Sequence, residues 1–433
     1  MNIKALYQIY LKYPVVCTDS RKVIPNSLFF ALKGDKFDGN KYASNALEKG
    51  AAYAIIDNEI YQKGEQYILV EDGLACLQQL ANFHRSQFKI PVIGITGSNG
   101  KTTTKELMTS VLKSSYPTHA TQGNFNNHIG VPLTLLAMPL DTEVAIIEMG
   151  MNHLGEIDEL CKIAHPTHGL ITNIGKAHLE GVGGLEGVKK AKSELYDYLK
   201  SNKGLIFVNR DEPFLWELIG EYRKKLSYSQ IIELAEHYIY QVELLDAATF
   251  VKARFKNDLE QSIEVKSQLI GTYNFNNIMT AIIIGQYFKV SPLKIKAAIE
   301  NYIPSNNRSQ VVRRASNTFI LDAYNANPTS MKNALNYFHN YPTKNKIAIL
   351  GDMLELGKAS LKEHQNILIQ IENLDLQQVI LVGKEFKQCN SKHTHFTNID
   401  ELKKWYNQQA FEDTSFLIKG SRGIRLELLL EDC

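Results

Sequence analysis

The strongest constraint on how this chain can fold is a set of short segments that are apolar at successive positions, not at alternate ones. Val92-Ile93-Gly94-Ile95-Thr96, Val144-Ala145-Ile146-Ile147-Glu148, Gly169-Leu170-Ile171-Thr172 and Leu205-Ile206-Phe207-Val208 all read this way. A strand of that composition must be covered on both faces, as in a parallel sheet packed between helices. After Pro304-Ser305-Asn306-Asn307-Arg308, a polar linker, the pattern restarts. Phe319-Ile320-Leu321-Asp322, Ile347-Ala348-Ile349-Leu350-Gly351-Asp352, Val379-Ile380-Leu381-Val382-Gly383 and Phe416-Leu417-Ile418-Lys419-Gly420 each end in a glycine or a polar residue, with helix-compatible stretches between. That is the signature of a doubly wound α/β unit, whose ligands gather at the carboxyl ends of its strands. Residues 1–88 alternate short apolar runs with helical patterns and close on the polar His84-Arg85-Ser86-Gln87. The expectation is three consecutive α/β domains at 1–88, 89–304 and 305–433. The central one should be a P-loop nucleotide-binding parallel sheet, and the C-terminal one doubly wound and Rossmann-like. At about 150 residues per domain, a chain of 433 residues has room for them.

Composition narrows the partners. Hydrophobic residues make up 44% and charged residues 22%, the balance of a globular chain. With 48 basic against 46 acidic residues the formal charge is +2, so no nucleic acid is expected as a partner. No apolar run approaches the roughly 20 residues of a membrane span, and Met1–Gln8 lacks the apolar stretch of a secretion signal. Cys17, Cys76, Cys161, Cys389 and Cys433 are odd in number and scattered, with no C-x-x-C, which fits reduced thiols in the cytoplasm. No membrane insertion is expected.

Directly after the strand ending at Thr96 comes Gly97-Ser98-Asn99-Gly100-Lys101-Thr102-Thr103-Thr104, followed by a helix-compatible run to Lys113. Glycines let backbone N–H groups curl round phosphates, and the start of a helix adds a positive dipole. Lys101 can then reach the terminal phosphates and Thr102 can hold Mg²⁺. The general Walker spacing wants a glycine where Ile95 stands, with Gly94 and Gly97 on either side. A plain glycine-rich turn is the alternative, but G-K-T-T between a buried strand and a helix points to ATP. Glu148 closes the next long strand, where a Walker-B carboxylate would meet the metal. Taken alone it also fits a solvated strand-end acid. His178, in Asn173-Ile174-Gly175-Lys176-Ala177-His178, leaves a third strand end; singly, it reads as a hydrogen-bonded loop histidine before it reads as a ligand. Lys192 falls on an apolar helical stripe of Val188, Ala191, Leu195 and Leu199. Snorkelling to solvent would explain it as well as burial would.

Together these segments resemble the Mur ligase family, the ATP-dependent amide ligases of peptidoglycan synthesis. Its variant phosphate loop, T-G-x-N-G-K-T, matches Thr96-Gly97-Ser98-Asn99-Gly100-Lys101-Thr102 and accounts for the displaced Walker glycine. The family's Mg²⁺-binding glutamate and histidine match Glu148 and His178, and its lysine, carbamylated in many members, matches Lys192. The resemblance thus implies Lys101, Glu148, His178 and Lys192 as catalytic residues, with Thr102, Glu148, His178 and Lys192 around the metal. It places ATP on Gly97 to Thr103, Asn274, Asn277, Arg308 and Asp322. Further segments narrow the likeness to the branch that adds a D-alanyl-D-alanine dipeptide. Asp19-Ser20-Arg21 with Phe37-Asp38-Gly39 is similar to its UDP-sugar domain, and Gly123-Asn124-Phe125-Asn126-Asn127-His128 to its central substrate loop. Asp322-Ala323-Tyr324-Asn325-Ala326-Asn327-Pro328, Gly351-Asp352-Met353-Leu354-Glu355-Leu356-Gly357 and Lys419-Gly420-Ser421-Arg422 fit as well. The D-N-P-R segment by which a sister enzyme grips diaminopimelate is absent. Implied substrate contacts are Ser20, Arg21, Asn124, Asn126, Asn127, Asn325, Asn327, Ser421 and Arg422. The implied partners are UDP-N-acetylmuramoyl-tripeptide and D-alanyl-D-alanine, acting on a monomer.

The likeness runs from about Asp19 to Glu427 and has three departures. Tyr273 stands where the family commonly has histidine, Asn307 where it has glycine, and Asn40 where it often has histidine. A sister ligase adding one amino acid and a folate polyglutamate ligase share the central features and stay open. So does a non-catalytic nucleotide-binding regulator, which would be expected to lose metal or phosphate residues.

Overall fold

The computed structural model describes residues 2–230, 239–257 and 259–431. Its central layer is a nine-stranded sheet. Seven strands run parallel in the spatial order Thr118–Ala120, Val144–Glu148, Val92–Thr96, His168–Ile171, Leu205–Asn209, Lys225–Ser229 and Ile239–Asp246. Successive side chains of the apolar runs enter opposite cores. Ile93, Ile95, Val144 and Ile146 join one with Leu107, Val111 and the helix Tyr273–Tyr287. Val92, Ala145 and Ile147 join the other with Leu160, Leu195 and Leu199. Period-two alternation with both faces buried explains why these strands are apolar at successive positions and turn polar only toward their ends. Each such side chain removed from water stabilises the fold by roughly 1.5–3 kcal/mol.

Strict strand–helix alternation breaks down at the far edge of this sheet. Ile239–Asp246, Lys252–Lys256 and Ser262–Lys266 follow one another as antiparallel strands. Lys252-Ala253-Arg254-Phe255-Lys256 alternates exposed and buried positions, and Arg254 pairs with Glu243 and Glu264 across the strands. This ribbon has one wet face, the pattern antiparallel sheets permit.

The N-terminal sheet has four parallel strands in the order Val15–Cys17, Ser27–Phe30, Tyr53–Ile56 and Tyr67–Leu69. The C-terminal sheet has six, ordered Gln310–Arg314, Asn317–Asp322, Thr414–Lys419, Asn345–Gly351, Gln378–Val382 and Thr394–Phe396, with only the first antiparallel. In the linker, Asn306 and Asn307 both have left-handed backbones (φ 60° and 57°). Asparagine is among the non-glycine residues that tolerate this conformation best, so Asn307 can make the turn usually made by glycine. Cys17, Cys76, Cys161 and Cys389 are free thiols, and Cys433 lies outside the described residues.

The order of the central strands decides the site. Val92–Thr96 lies between Val144–Glu148 and His168–Ile171, with Ile95 beside Glu148 and Thr96 beside Ile171. The phosphate loop, Glu148 and the loop carrying His178 therefore leave three adjacent strand ends. The C-terminal domain closes the opposite side.

Candidate active site

A cleft of 470 Å³ lies at these strand ends and is lined by residues of the central and C-terminal domains. Two glycines shape its floor. Gly97 (φ 148°) and Gly100 (φ 79°) have positive φ, and a Cβ at either would collide, with Thr172 Oγ1 and Asn277 Oδ1 respectively. Helix Lys101–Lys113 starts immediately after Gly100, so its first N–H groups face the cleft. Lys101 Nζ donates to Gly97 O at 2.7 Å, and burial pulls its pKa below the ordinary lysine range. Asn277 Oδ1 accepts from Thr104 Oγ1 (2.9 Å), its Nδ2 donates to Asn274 Oδ1 (2.8 Å), and Asn274 Nδ2 donates to Ile270 O (2.8 Å). Helix Tyr273–Tyr287 is thereby tied to the phosphate loop. Tyr273, in place of the usual histidine, shares a 3.0 Å hydrogen bond with Ser309 at the end of the linker.

Glu148 is buried, and its Oε1 accepts from Thr102 Oγ1 (3.2 Å) and Asn126 Nδ2 (2.8 Å). Its Oε2 has no hydrogen-bond partner and lies 3.8 Å from the buried Lys105 Nζ. His178 Nδ1 is a second buried polar atom without a properly aligned hydrogen bond, though it is 2.7 Å from Glu355 Oε2. That histidine, with Lys101 behind it, holds the Glu355 carboxyl below the usual range. The two orphaned atoms, with Thr102 beside them, suit a hard cation. Among the described residues no three of His, Cys, Asp and Glu form a metal cage. Mg²⁺ does not need one, because it keeps waters and binds one or two carboxylates together with substrate phosphates.

Lys192 is 1% exposed and makes no ion pair or hydrogen bond among the described residues. The snorkelling alternative therefore fails. Burial, with the charge of Lys101 added, pushes its pKa well below the ordinary value. It is buried on helix Leu185–Ser201 and is absent from the cleft's lining.

The C-terminal domain supplies the facing wall. Asp322 Oδ1 accepts from Ser309 N (3.1 Å), and its Oδ2 from Lys419 Nζ (2.5 Å). Asn327 Nδ2 donates to Asn99 Oδ1 across the cleft at 2.7 Å. Asn325 lines the same wall, and Asn124, Asn126 and Asn127 line the central side. Arg308 lies over the Tyr324 ring at 3.7 Å, whereas Arg422, 5.3 Å from the same ring, is exposed and does not line the cleft itself. Ser421 is buried, its Oγ accepting from Leu354 N at 2.9 Å, so it holds a loop and does not line the cleft. Ser20 and Arg21 are not brought to this cleft either. They lie on the N-terminal domain, where Arg21 is 84% exposed and paired with Asp19 at 2.8 Å.

Four site residues escaped sequence reasoning: Lys105, Tyr324, Glu355 and Lys419. Two left a signal. Lys419 ends a strand that is buried along its whole length, and Lys105 lies one helical turn after Lys101 on the same helix. Tyr324 and Glu355 sit on loops inside two segments that carry the family resemblance, Asp322–Pro328 and Gly351–Gly357, where nothing further marks them.

Three family models match the chain: the Mur ligase family catalytic domain over residues 12–85, the Mur ligase middle domain over 95–285, and the Mur ligase glutamate ligase domain over 307–422. The UDP-N-acetylmuramoyl-tripeptide–D-alanyl-D-alanine ligase of Bacillus subtilis is 36% identical over 96% of this chain and 92% of its own length. A crystal structure of MurF from Acinetobacter baumannii superposes with a TM-score of 0.85 at 29% identity, covering all of this chain and 98% of that one. MurF ligase from Thermotoga maritima in complex with ADP gives 0.83 at 27% identity, over 97% of each chain.

Proposed function

The chain belongs to the Mur ligase family, and from that premise we propose that it joins D-alanyl-D-alanine to UDP-N-acetylmuramoyl-tripeptide, driven by ATP. One observation carries the proposal: the phosphate loop, Glu148 and the C-terminal wall of Asp322, Asn325 and Asn327 meet in a single cleft. ATP is read onto the loop Gly97–Thr103, with Asn274 and Asn277 on the base side, Asp322 at the ribose and Arg308 near the phosphates. The domain boundaries proposed are 1–88 for the UDP-sugar, 89–304 for ATP and 305–433 for the dipeptide. Ser20 and Arg21 serve the UDP-sugar end of a substrate whose peptide reaches the central cleft past Asn124, Asn126 and Asn127.

A carboxylate is a poor electrophile, so the tripeptide carboxylate oxygen first attacks the terminal phosphorus of ATP and ADP leaves. The dipeptide amine then attacks the carbonyl of the acyl phosphate. The tetrahedral intermediate expels phosphate and the nitrogen gives up its proton. Bringing one anion up to another is the physical difficulty. Lys101 and the helix N-terminus place fixed positive charge where the phosphate oxygens gain negative charge. Mg²⁺, held by Thr102, Glu148, His178 and a carbamylated Lys192, would supply further positive charge at the phosphates. The depressed pKa of Lys192 supports that modification, because only the neutral amine reacts with CO₂. The facing wall shields the acyl phosphate from water. We take the active form to be a monomer; no helix of the described residues is long and apolar enough to cross a membrane. We place the activity in the cytoplasm, where ATP and nucleotide-linked precursors are found.

The test is ADP release with UDP-muramoyl-tripeptide and each of D-alanyl-D-alanine, free lysine and free diaminopimelate. Turnover is expected with the dipeptide. Faster turnover of a UDP-muramoyl-dipeptide with a free amino acid would replace this reading with the single-residue-adding one.

A further inference from the structure

We propose that Glu355 binds the ammonium group of the incoming amine substrate and so sets where that nitrogen stands relative to the acyl phosphate. The inference rests on the ligase reading above and adds to it a residue that sequence reasoning did not single out.

Lys101, Arg308 and Lys419 line the cleft among five carboxylates, Glu148, Glu156, Glu159, Asp322 and Glu355. An incoming ammonium ion needs a counter-charge there, and most of the lining carboxylates are committed. Glu148 is buried, with its Oε1 held by Thr102 and Asn126 and its Oε2, near Lys105, assigned to the metal. Asp322 is paired with Lys419 and Ser309. Glu156 caps the backbone of Asn152 and His153. Glu159 is exposed on the central domain's helix Glu156–Ala164. On the C-terminal wall, Glu355 is the carboxylate left, its side chain still 55% exposed and, among the described residues, ion-paired with His178 alone.

The surrounding loop is built to present it. Met353 N donates to His364 Nε2 (3.0 Å) and Leu354 N to Ser421 Oγ (2.9 Å), while Leu356 is buried on the other side. Between these fixed points Glu355 has a left-handed backbone (φ 64°), a strained conformation for a glutamate that turns its side chain out of the domain and into the cleft. Its own carbonyl accepts from Glu180 N of the central domain at 3.4 Å. A loop pinned on both flanks holds this acid facing the cleft, in position to meet a cationic group there.

The test compares wild type, Glu355→Gln and Glu355→Asp, using D-alanyl-D-alanine as substrate and D-lactoyl-D-alanine, which has a hydroxyl in place of the ammonium, as inhibitor. Glu355→Gln should raise the KM for D-alanyl-D-alanine by roughly 30-fold or more, the scale for losing one partner of a shielded charge pair. The KM for ATP should stay within about twofold and the inhibition constant of D-lactoyl-D-alanine should not change. Glu355→Asp, which keeps the charge, should recover part of the loss. An unchanged dipeptide KM, an equal weakening of dipeptide and hydroxyl analogue, or a raised Mg²⁺ requirement with unchanged dipeptide KM would each overturn the assignment. Failure of the wild type to use D-alanyl-D-alanine at all would refute the proposed reaction instead.

Discussion

The two walls of the cleft are held in different ways. On the central side the groups of the phosphate loop and its neighbours are fixed within their own domain: Lys101 by Gly97, Thr102 and Asn126 by Glu148, Asn277 by Thr104 and Asn274. On the C-terminal side the groups are fixed within their domain up to the cleft, and the wall is joined to its opposite by the buried Ile270, which enters the C-terminal core, and by scattered polar contacts. They include Asn327 to Asn99, Glu355 to His178, Glu180 N to Glu355 O, Tyr273 to Ser309, Tyr337 to Thr249 O and Lys176 to Glu363 at 2.6 Å. Such contacts are worth on the order of 1 kcal/mol each, so they can form and break as substrates come and go. The central wall is thus suited to fixed electrostatics and the C-terminal wall to substrate-dependent closure.

This contrast predicts that central-wall variants lose turnover even at saturating substrate, whereas C-terminal variants mainly lose affinity. The largest effect is expected for Lys101→Ala, with ADP release falling by several orders of magnitude at saturating ATP. Release at the wild-type rate would remove Lys101 from the chemistry.

Lys192→Ala should come next, nearly inactive but substantially rescued by a short carboxylic acid that replaces the carbamate oxygens. Lys192→Arg should resist rescue because its cation fills the space. The pH dependence has a definite sign. Burial lowers the Lys192 pKa, so the neutral amine is present below the pH at which an exposed lysine would supply it. Bicarbonate-dependent activity should therefore saturate at a lower pH than free lysine carbamylates. Activity independent of bicarbonate, together with wild-type turnover of Lys192→Ala, would sink the carbamate.

On the other wall, Arg422→Ala should raise the KM for the dipeptide far more than that for ATP. The reverse pattern would assign Arg422 to the nucleotide. The smallest effect should come from Asn327→Ser. Serine can still cap helix Pro328–His339 as Asn327 does, but it cannot reach Asn99. An increase in substrate KM of about fivefold is expected, with melting temperature unchanged. By contrast, Asn327→Ala should also cost about 1 kcal/mol of stability through the lost cap. A large fall in kcat with Asn327→Ser would mean that the C-terminal wall is as rigid as the central one.

Sequence alone determined the features that depend on near neighbours. The doubly apolar strands, the glycine loop opening onto a helix and the stripe carrying Lys192 each follow from steric and solvation rules acting over a few residues, and those rules hold wherever the segment ends up. The antiparallel ribbon at 239–266 was locally marked by its alternation, but it was masked by the strand–helix rhythm before it. What only the tertiary structure decided is which distant groups meet. Whether Lys192 is buried or snorkels depends on what packs over its helix. That Glu148 faces Lys105, that Asn327 reaches Asn99 and that Glu355 stands against His178 depend on strand order and on one domain closing over another. A buried charge or an unpaired donor takes its meaning from its partner, and these partners are far apart in the chain.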